Sequence, residues 1–311
     1  MAANSTPFRV SEAIAQGLSP GVLRSRAFEA PFHGIRARSG TLFDIDRICG
    51  AYLCKMPPGS VFAGVTAARL WGFPLPAYLP SDISTVDVAA PAPRRAPRGA
   101  HVRGSQFQPE IVSITGLRGL PVLTAVDAWC SLARVLDLAD LTAVADHLLS
   151  DGPTSPLGRS PFAALSEAVD RRSGHRGSVE LRAALGQARP HCWSRTETLT
   201  RLVLCSAGIP EPVLNHLVWI RGRQFRLDLA WPAVRFGLEY DGDHHRNPRQ
   251  FVNDIGRHEL IQDENWALMR MTRLELFDSP EQLVRRVAGR LADRGLPAAA
   301  LQVSRMVQPR R

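Results

Sequence analysis

Acidic residues recur at close spacing within two short alternating segments in the last third of the chain. Asp228 lies in the segment Gln224–Trp231, and Glu239 and Asp241 lie in the segment Val234–Asp241. Strand side chains alternate between two faces, so both segments are predicted to be half-buried strands with their acids on one face. The apolar residues of the first segment are predicted to share the opposite face: Phe225, Leu227, Leu229 and Trp231.

The two segments are predicted to form a β-hairpin. Pro232-Ala233 separates them, and proline cannot continue a strand ladder. A two-residue connection places Asp228 opposite Gly237, with Glu239 diagonal to it. Clustered carboxylates repel one another unless a cation or a proton compensates their charge. The pattern therefore predicts a site for a hard, oxygen-binding metal ion.

The overall charge points to a polyanionic partner. The 311 residues carry a net charge of +9, with 45% hydrophobic and 22% charged residues, which is typical of a globular protein of two or three domains. The basic excess lies mostly outside residues 194–295, which favours one module that binds phosphates and another that carries the chemistry. A generally arginine-rich proteome is the alternative explanation. Lys55 is the only lysine, so a mechanism that needs a lysine in the C-terminal part is excluded.

The compartment is predicted from what the sequence lacks. Its first residues have neither the basic start nor the apolar run of a secretion signal, and no apolar stretch is long enough to cross a bilayer. The five cysteines form no CxxC pair and are predicted to be free thiols. We expect a cytoplasmic protein without a membrane partner.

The elements that must position the acids follow a regular order from Ser194 onward. Ser194 and Glu197 fit the S-x-x-E capping pattern of a helix start. A strand at Val213–Ile220, the hairpin, and a helix from Asn247 to about Glu264 follow. A strand at Trp266–Thr272 and a last helix that opens at Ser279 and ends at Gly295 complete the order. A mixed sheet flanked by helices accounts for it.

The N-terminal part is predicted to bind DNA. Residues 1–40 fit a small helix-turn-helix with a wing, in which Ser19 caps the second helix and Arg36 and Arg38 point outward from a strand. Further on, strands at Ile83–Ala89 and Gly99–Gly104 flank a loop that contains Arg94 and Arg95, a candidate phosphate contact or a solvated basic turn. Residues 124–150 have helical spacing, with a break predicted near residues 137–140.

The C-terminal motifs resemble a known superfamily. Their set comprises Glu197, Asp228, Glu239-Tyr240-Asp241-Gly242-Asp243-His244-His245, Asp254-Ile255-Gly256-Arg257 and Trp266-Ala267-Leu268-Met269-Arg270. Together they resemble the restriction-endonuclease-like PD-(D/E)XK superfamily, and within it a domain related to very-short-patch repair endonucleases, over about residues 194–295. Residues 1–150 resemble, more weakly, the winged-helix region of AbiEi-type antitoxins, including Ala67–Gly72 and Leu120–Thr124.

The resemblance implies a fold class and a domain plan. The fold class is an α/β C-terminal domain, a restriction-endonuclease-like mixed sheet flanked by helices, preceded by a winged helix and an α+β region. The implied domains are a winged-helix-like DNA-binding module at 1–58, an antitoxin-like α+β and helical region at 59–190, an endonuclease-like domain at 191–295, and a basic tail at 296–311.

The resemblance also implies roles for particular residues. Asp228, Glu239 and the Tyr240 carbonyl would bind Mg²⁺ or Mn²⁺, and Glu197 would be an outer ligand or bind a second metal. The superfamily usually has a lysine two residues after the second acid, where this chain has Asp241. His245 is the candidate general base or phosphate ligand, followed by His244.

Two alternatives for single residues stay open beside these roles. Glu197 can simply cap its own helix. Arg257 can balance the acidic cluster, contact DNA, or pair with Asp254 three positions earlier.

Two functions therefore compete on the sequence. The first is a DNA-binding protein with a magnesium-dependent endonuclease-like domain that hydrolyses phosphodiester bonds. The alternative is a non-catalytic, antitoxin-like DNA-binding transcriptional regulator with a degenerate nuclease fold. A cognate toxin or other protein partner is not identified by the sequence.

Overall fold

A computed structural model describes residues 6–42, 44–152, 162–241, 256–257, 259–296 and 301–311. The predicted His244, His245 and Asp254 lie outside these described residues. The chain divides into two compact units, residues 1–137 with 160–185 (unit 1) and residues 138–159 with 186–311 (unit 2). Both units combine helices with β-sheet, which confirms a mixed α/β protein with sheets flanked by helices.

In its described residues, unit 1 contains four small helices and two sheets in its N-terminal part, followed by further helices. Its elements are β1 Phe8–Arg9, α1 Val10–Ala15, α2 Pro20–Leu23, β2 Phe28–Glu29, β3 Ile35–Arg38, α3 Ile45–Leu53, β4 Val61–Phe62, α4 Gly64–Leu70, β5 Val86–Pro91, β6 Val102–Phe107, β7 Ile114–Leu117, β8 Leu120–Leu123, α5 Ala125–Ser131, α7 Phe162–Asp170 and α8 Ser178–Gln187.

Residues 6–40 form two short helices beside a three-stranded sheet of order β1-β3-β2. Gly17 has φ +93° after α1, a left-handed conformation that glycine adopts without strain. Ser19 Oγ accepts the Val22 amide at 3.3 Å and caps α2, as predicted. Because α2 has only four residues, it is a single turn. The winged-helix assignment therefore stays a prediction.

The second sheet of unit 1 has five strands in the order β6-β5-β4-β8-β7. β5 and β6 are parallel neighbours, and the loop with Arg94 and Arg95 joins them. Thr124 Oγ1 caps α5 by accepting the Asp127 amide. The helical segment 124–150 is interrupted, as predicted, but earlier than expected near 137–140, since α5 ends at Ser131 and α6 begins at Leu138. Phe62 and Trp129 are among the largest fully buried side chains of this unit.

Unit 2 is built on a four-stranded mixed sheet. Its elements are α6 Leu138–Leu149, α9 Arg195–Ser206, β9 Val213–Ile220, β10 Arg223–Trp231, β11 Phe236–Asp241, α10 at residues 259–263, β12 Ala267–Thr272, α11 Arg273–Asp278 and α12 Pro280–Asp293. The strand order is β12-β11-β10-β9, with β12 parallel to β11 and the other pairs antiparallel. Within the described residues the predicted order of elements is present, with α11 added before the last helix; the predicted helix start at Asn247 lies outside them.

The hairpin of β10 and β11 differs from the prediction in register. Ala230, not Asp228, lies opposite Gly237, and Leu229 lies opposite Leu238. The predicted register is wrong because the connection has four residues, Pro232–Arg235, and not two. Arg235 closes a 3₁₀ turn in the left-handed conformation, at φ 48°. Continuing this register by one residue places Asp228 directly beside Glu239.

The prediction that Phe225, Leu227, Leu229 and Trp231 share one face of β10 is wrong, because two different cores bury them. Phe225 and Leu227 pack with Val218, Ile220 and the α10 residue Ile261. Leu229 and Trp231 instead join the core formed with α9 and α12. The alternation breaks at Asp228 because the ladder to β9 is interrupted there: the partner position, Asn215, has φ 48°.

Residues 301–311 lie against unit 2. The Gln302 amide donates to the Ala207 carbonyl at 2.9 Å, and the Val307 amide donates to Ser206 Oγ at 2.9 Å. Met306 is buried in the core beside α9, and Arg311 pairs with Asp278 on α11. The basic tail is thus attached to the α9 end of this unit.

Two predictions about the chain as a whole are also addressed by the structure. None of the helices that the structure describes has the length and apolar character needed to span a membrane. All five cysteines are free thiols, as expected.

Candidate functional site

We call Asp228, Glu239 and Glu197 the acidic cluster. Asp228 is at its centre, at the break in β10. Its Oδ2 accepts the Tyr240 amide from β11 at 2.9 Å, and within the described part of the chain this is the one hydrogen bond that the carboxylate receives. Burial raises the pKa of Asp228 to about 6, and the neighbouring Glu197 and Glu239 carboxylates act in the same direction. The Tyr240 amide and Arg257 oppose that shift. Asp228 is therefore a half-buried acid with one committed oxygen.

Glu239 is buried and neutralised by Arg257. Arg257 Nη1 donates to Glu239 Oε2 at 3.0 Å, Nη2 donates to Oε1, and Nη2 also donates to the Arg226 carbonyl at 2.7 Å. Two parallel guanidinium–carboxylate hydrogen bonds are a strong and geometrically specific pairing. The predicted balancing role of Arg257 is thus directed at Glu239, while the predicted DNA contact of Arg257 stays a prediction.

Glu197 reaches the cluster from the first turn of α9 and caps that helix. Its amide donates to Ser194 Oγ at 3.2 Å, and its Oε1 accepts the Ser194 hydroxyl at 2.8 Å. Oε2 accepts the Trp193 amide at 2.9 Å and Asn215 Nδ2 at 2.7 Å. Burial raises the pKa of Glu197, against the effect of these hydrogen bonds. Both of its oxygens are already used, so a metal role for Glu197 stays a prediction.

Two supporting groups were not found from the sequence. Asn215 lies within β9. Its Nδ2 donates to Glu197 Oε2, and its carbonyl accepts a hydrogen bond from Arg226 Nη1 at 3.2 Å. The Arg226 guanidinium carbon lies 4.0 Å from the centre of the Trp193 ring. A signal for Asn215 was present, since an asparagine inside an apolar strand tolerates the left-handed conformation better than its neighbours.

Asp228 and Glu239 supply enough carboxylates for a magnesium site, but Glu239 is paired with Arg257 in this structure. Among the residues the structure describes, no group of three or more His, Cys, Asp or Glu side chains is arranged to hold a metal ion. Magnesium needs only one or two protein carboxylates, together with water and substrate phosphate. Asp228 meets this requirement as it stands, whereas Glu239 must first be released by Arg257.

Of the other predicted site residues, Asp241 and Tyr240 are described by the structure and His245 is not. Asp241 lies two positions after Glu239 on β11, beside Thr272 of β12, and Tyr240 lies between the two acids. His245, the candidate base, lies in the part of the chain that is not described, so its role stays a prediction.

The candidate DNA-binding residues of unit 1 differ in exposure. Arg36 is half-buried because Nε donates to the Leu23 carbonyl at 2.8 Å and Nη1 to the Ile35 carbonyl at 3.0 Å. Arg36 and Arg38 share the less buried face of β3, as predicted, but the Arg36 guanidinium is committed to these two carbonyls. Arg38 and Arg95 are exposed, and Arg94 Nη1 donates to the Pro58 carbonyl at 2.5 Å. Arg38 and Arg95 are the better placed of the four to meet a phosphate.

Comparison with known proteins finds relatives without an assigned activity. The chain is 26% identical over 229 residues to the uncharacterized proteins MT2308 and Rv2248 of two Mycobacterium tuberculosis strains, and the match covers 73% of this chain and 79% of theirs. No protein-family model matches the sequence, and no solved structure matches it significantly.

Proposed function

We propose that unit 2 is a metal-dependent phosphodiesterase domain acting on DNA, with Asp228 and Glu239 as the metal ligands. The observation that carries the proposal is a half-buried acid, Asp228, with two buried acids, Glu239 and Glu197, as neighbours from other elements. Continuing the hairpin register by one residue places Asp228 of β10 beside Glu239 of β11, and Glu197 of α9 is near enough to raise the pKa of Asp228. Buried like charges are costly unless a cation compensates them.

The arrangement of elements supports the same proposal. A capped helix, three antiparallel strands, a helix and a fourth strand parallel to the third form the order that the resemblance to restriction-endonuclease-like proteins implies. The acids lie on the two middle strands of this sheet. A site at the break of a central strand has its ligands on rigid elements, which favours fixed metal geometry.

The chain's own residues would divide the work as follows. Asp228 and Glu239 present carboxylate oxygens from adjacent strands, and the Tyr240 amide fixes the orientation of Asp228. A bound magnesium or manganese ion would activate water and neutralise charge that develops on the phosphodiester. Arg257, once displaced from Glu239, is close enough to the cluster to meet a substrate phosphate.

The alternative is a non-catalytic DNA-binding regulator in which the same fold is structural. The Arg257–Glu239 pair favours it, because the guanidinium supplies the positive charge that a metal ion would otherwise supply. Asp241 at the usual lysine position also favours it.

A nicking assay separates the two functions. Purified protein is incubated with supercoiled DNA in magnesium or manganese, beside Asp228→Asn, Glu239→Gln and the control Asp293→Asn, an exposed acid at the end of α12. Metal-dependent nicking that both site variants lose and the control retains supports the phosphodiesterase. Salt-sensitive DNA binding without nicking supports the regulator and refutes the phosphodiesterase.

A further inference from the structure

A basic groove lies along the outer edge of the sheet of unit 2, beside the acidic cluster. Arg270 on β12 and Arg286 and Arg290 on α12 line a cavity of about 440 Å³, together with Gln262 and Met269. β12 is an edge strand in the described sheet, so the cavity is open along that edge. We call the three arginines and this cavity the arginine groove.

The positive charge of the arginine groove is only partly compensated. Arg286 donates to Glu275 and to the Arg270 carbonyl, and Glu275 also accepts the Thr272 amide at 2.9 Å in the cap of α11. Neither Arg270 nor Arg290 pairs with a carboxylate of the described residues. Among the described residues, one carboxylate, Glu275, thus pairs with one of the three arginines that line the cavity. An anion in the groove would compensate charge that Arg270 and Arg290 leave without a carboxylate partner.

The geometry of the groove suits a tetrahedral oxyanion. Arg286 and Arg290 are four residues apart and thus on one face of α12, and Arg270 comes from the adjacent strand. Planar guanidinium groups bind phosphate through paired hydrogen bonds, which a lysine cannot do. Arg286 is held in place by Glu275, so part of the groove is already ordered before a ligand arrives.

Arg270 connects the groove to the strand that carries Glu239. Arg270 lies directly beside Glu239 in the parallel pairing of β11 and β12, one strand spacing away. Glu239 itself is occupied by Arg257 and does not compensate Arg270. A phosphodiester chain that presents one phosphate to Asp228 and Glu239 can therefore present a neighbouring phosphate to Arg270.

We propose that the arginine groove is a phosphate-binding site that receives the nucleic-acid backbone next to the cleavage site. That the bound phosphate belongs to a nucleic acid rests on the proposed function, whereas phosphate binding by the groove does not. A free phosphate compound would bind through the same groups, and the test distinguishes it from DNA by a separate titration with pyrophosphate.

The test measures binding without divalent ions, in EDTA, using the full chain. Fluorescence anisotropy with a labelled DNA duplex at several salt concentrations compares wild type, Arg270→Gln and Arg290→Gln. Arg285→Gln is the matched control, because Arg285 is exposed on the same helix and lies 4.0 Å from Glu281. Thermal unfolding shows that each variant is folded. Isothermal titration with pyrophosphate is the second arm.

Each groove variant is expected to lose about one phosphate contact. The slope of log K against log salt then falls by about 0.9, which corresponds to about eightfold weaker DNA binding at 0.1 M salt. The control keeps the wild-type slope. If only pyrophosphate binding is lost, the groove serves a free phosphate compound and the nucleic-acid source is wrong. If both groove variants match Arg285→Gln in both arms, the groove is not a phosphate site. Because EDTA removes divalent ions, this result is independent of whether the nicking assay succeeds.

Discussion

Replacing Asp228 with asparagine is expected to stabilise unit 2 at neutral pH. The ordinary pKa of the carboxyl is 3.8, and burial beside two acids raises it to about 6 in the folded protein. A shift of about two units corresponds to about 3 kcal/mol of unfavourable free energy once the folded carboxyl is ionised. Asparagine keeps an oxygen for the Tyr240 amide and carries no charge. The variant removes that cost.

The effect has a defined pH dependence. Below pH 3.8 the carboxyl is protonated in both states, and above about pH 6 it is ionised in both, so the cost develops between these values. The advantage of Asp228→Asn is therefore absent near pH 4 and complete above about pH 6.

Urea unfolding followed by tryptophan fluorescence measures this advantage, since four of the six tryptophans, at positions 193, 219, 231 and 266, lie in unit 2. Asp293→Asn is the control and is expected to change stability by less than about 0.5 kcal/mol. A variant that is destabilised at pH 7.5, or whose advantage does not grow with pH, refutes the reasoning.

Three further substitutions test the surroundings of the acid. Gly237→Ala places a Cβ 2.8 Å from Leu268 Cδ2, so its unfolding free energy in urea is expected to fall by about 1–3 kcal/mol; an unchanged midpoint contradicts the close packing of β11 on β12. Glu197→Gln weakens the cap of α9 and is expected to lower stability by about 1–2 kcal/mol while manganese affinity by calorimetry stays near wild type; a lost affinity would make Glu197 a ligand. Arg257→Gln leaves Glu239 unpaired, which costs about 1–3 kcal/mol in thermal unfolding, and should tighten manganese binding because no guanidinium competes; weaker binding argues against that exchange.

Local signals in the sequence were sufficient for most elements of unit 2. The S-x-x-E pattern located the start of α9, because the capping interaction needs only residues three positions apart. Val213–Ile220 was predicted with the bounds that β9 has. These features depend on hydrogen bonds and side-chain alternation within a few residues, which a sequence displays directly.

The register of the hairpin was not predicted because it depends on a turn without a typical sequence signal. Arg235 adopts a left-handed conformation, which most side chains avoid and which is usually read from a glycine or an asparagine. Two more residues in the connection shift the pairing by two. Continued by one residue, this register makes Asp228 and Glu239 direct neighbours, in place of the predicted diagonal contact.

The state of the acidic cluster required three-dimensional information. Arg257 is 18 residues from Glu239 and comes from a different element, so no spacing rule connects them. Asn215 and Glu197 likewise meet across 18 residues. The residue types identified Asp228, Glu239 and Glu197 as candidates. Whether a metal ion can reach these acids depends on their hydrogen-bond partners and their burial.

Calorimetric titration of manganese into the full chain at pH 7.5 tests the central claim most directly. We expect one binding event per chain in wild type and in Asp293→Asn, and a binding constant weakened at least tenfold in both Asp228→Asn and Glu239→Gln, which is about 1.4 kcal/mol. Absence of binding in the wild type, or an affinity equal to that of the wild type in either site variant, would contradict a divalent-ion site formed by Asp228 and Glu239.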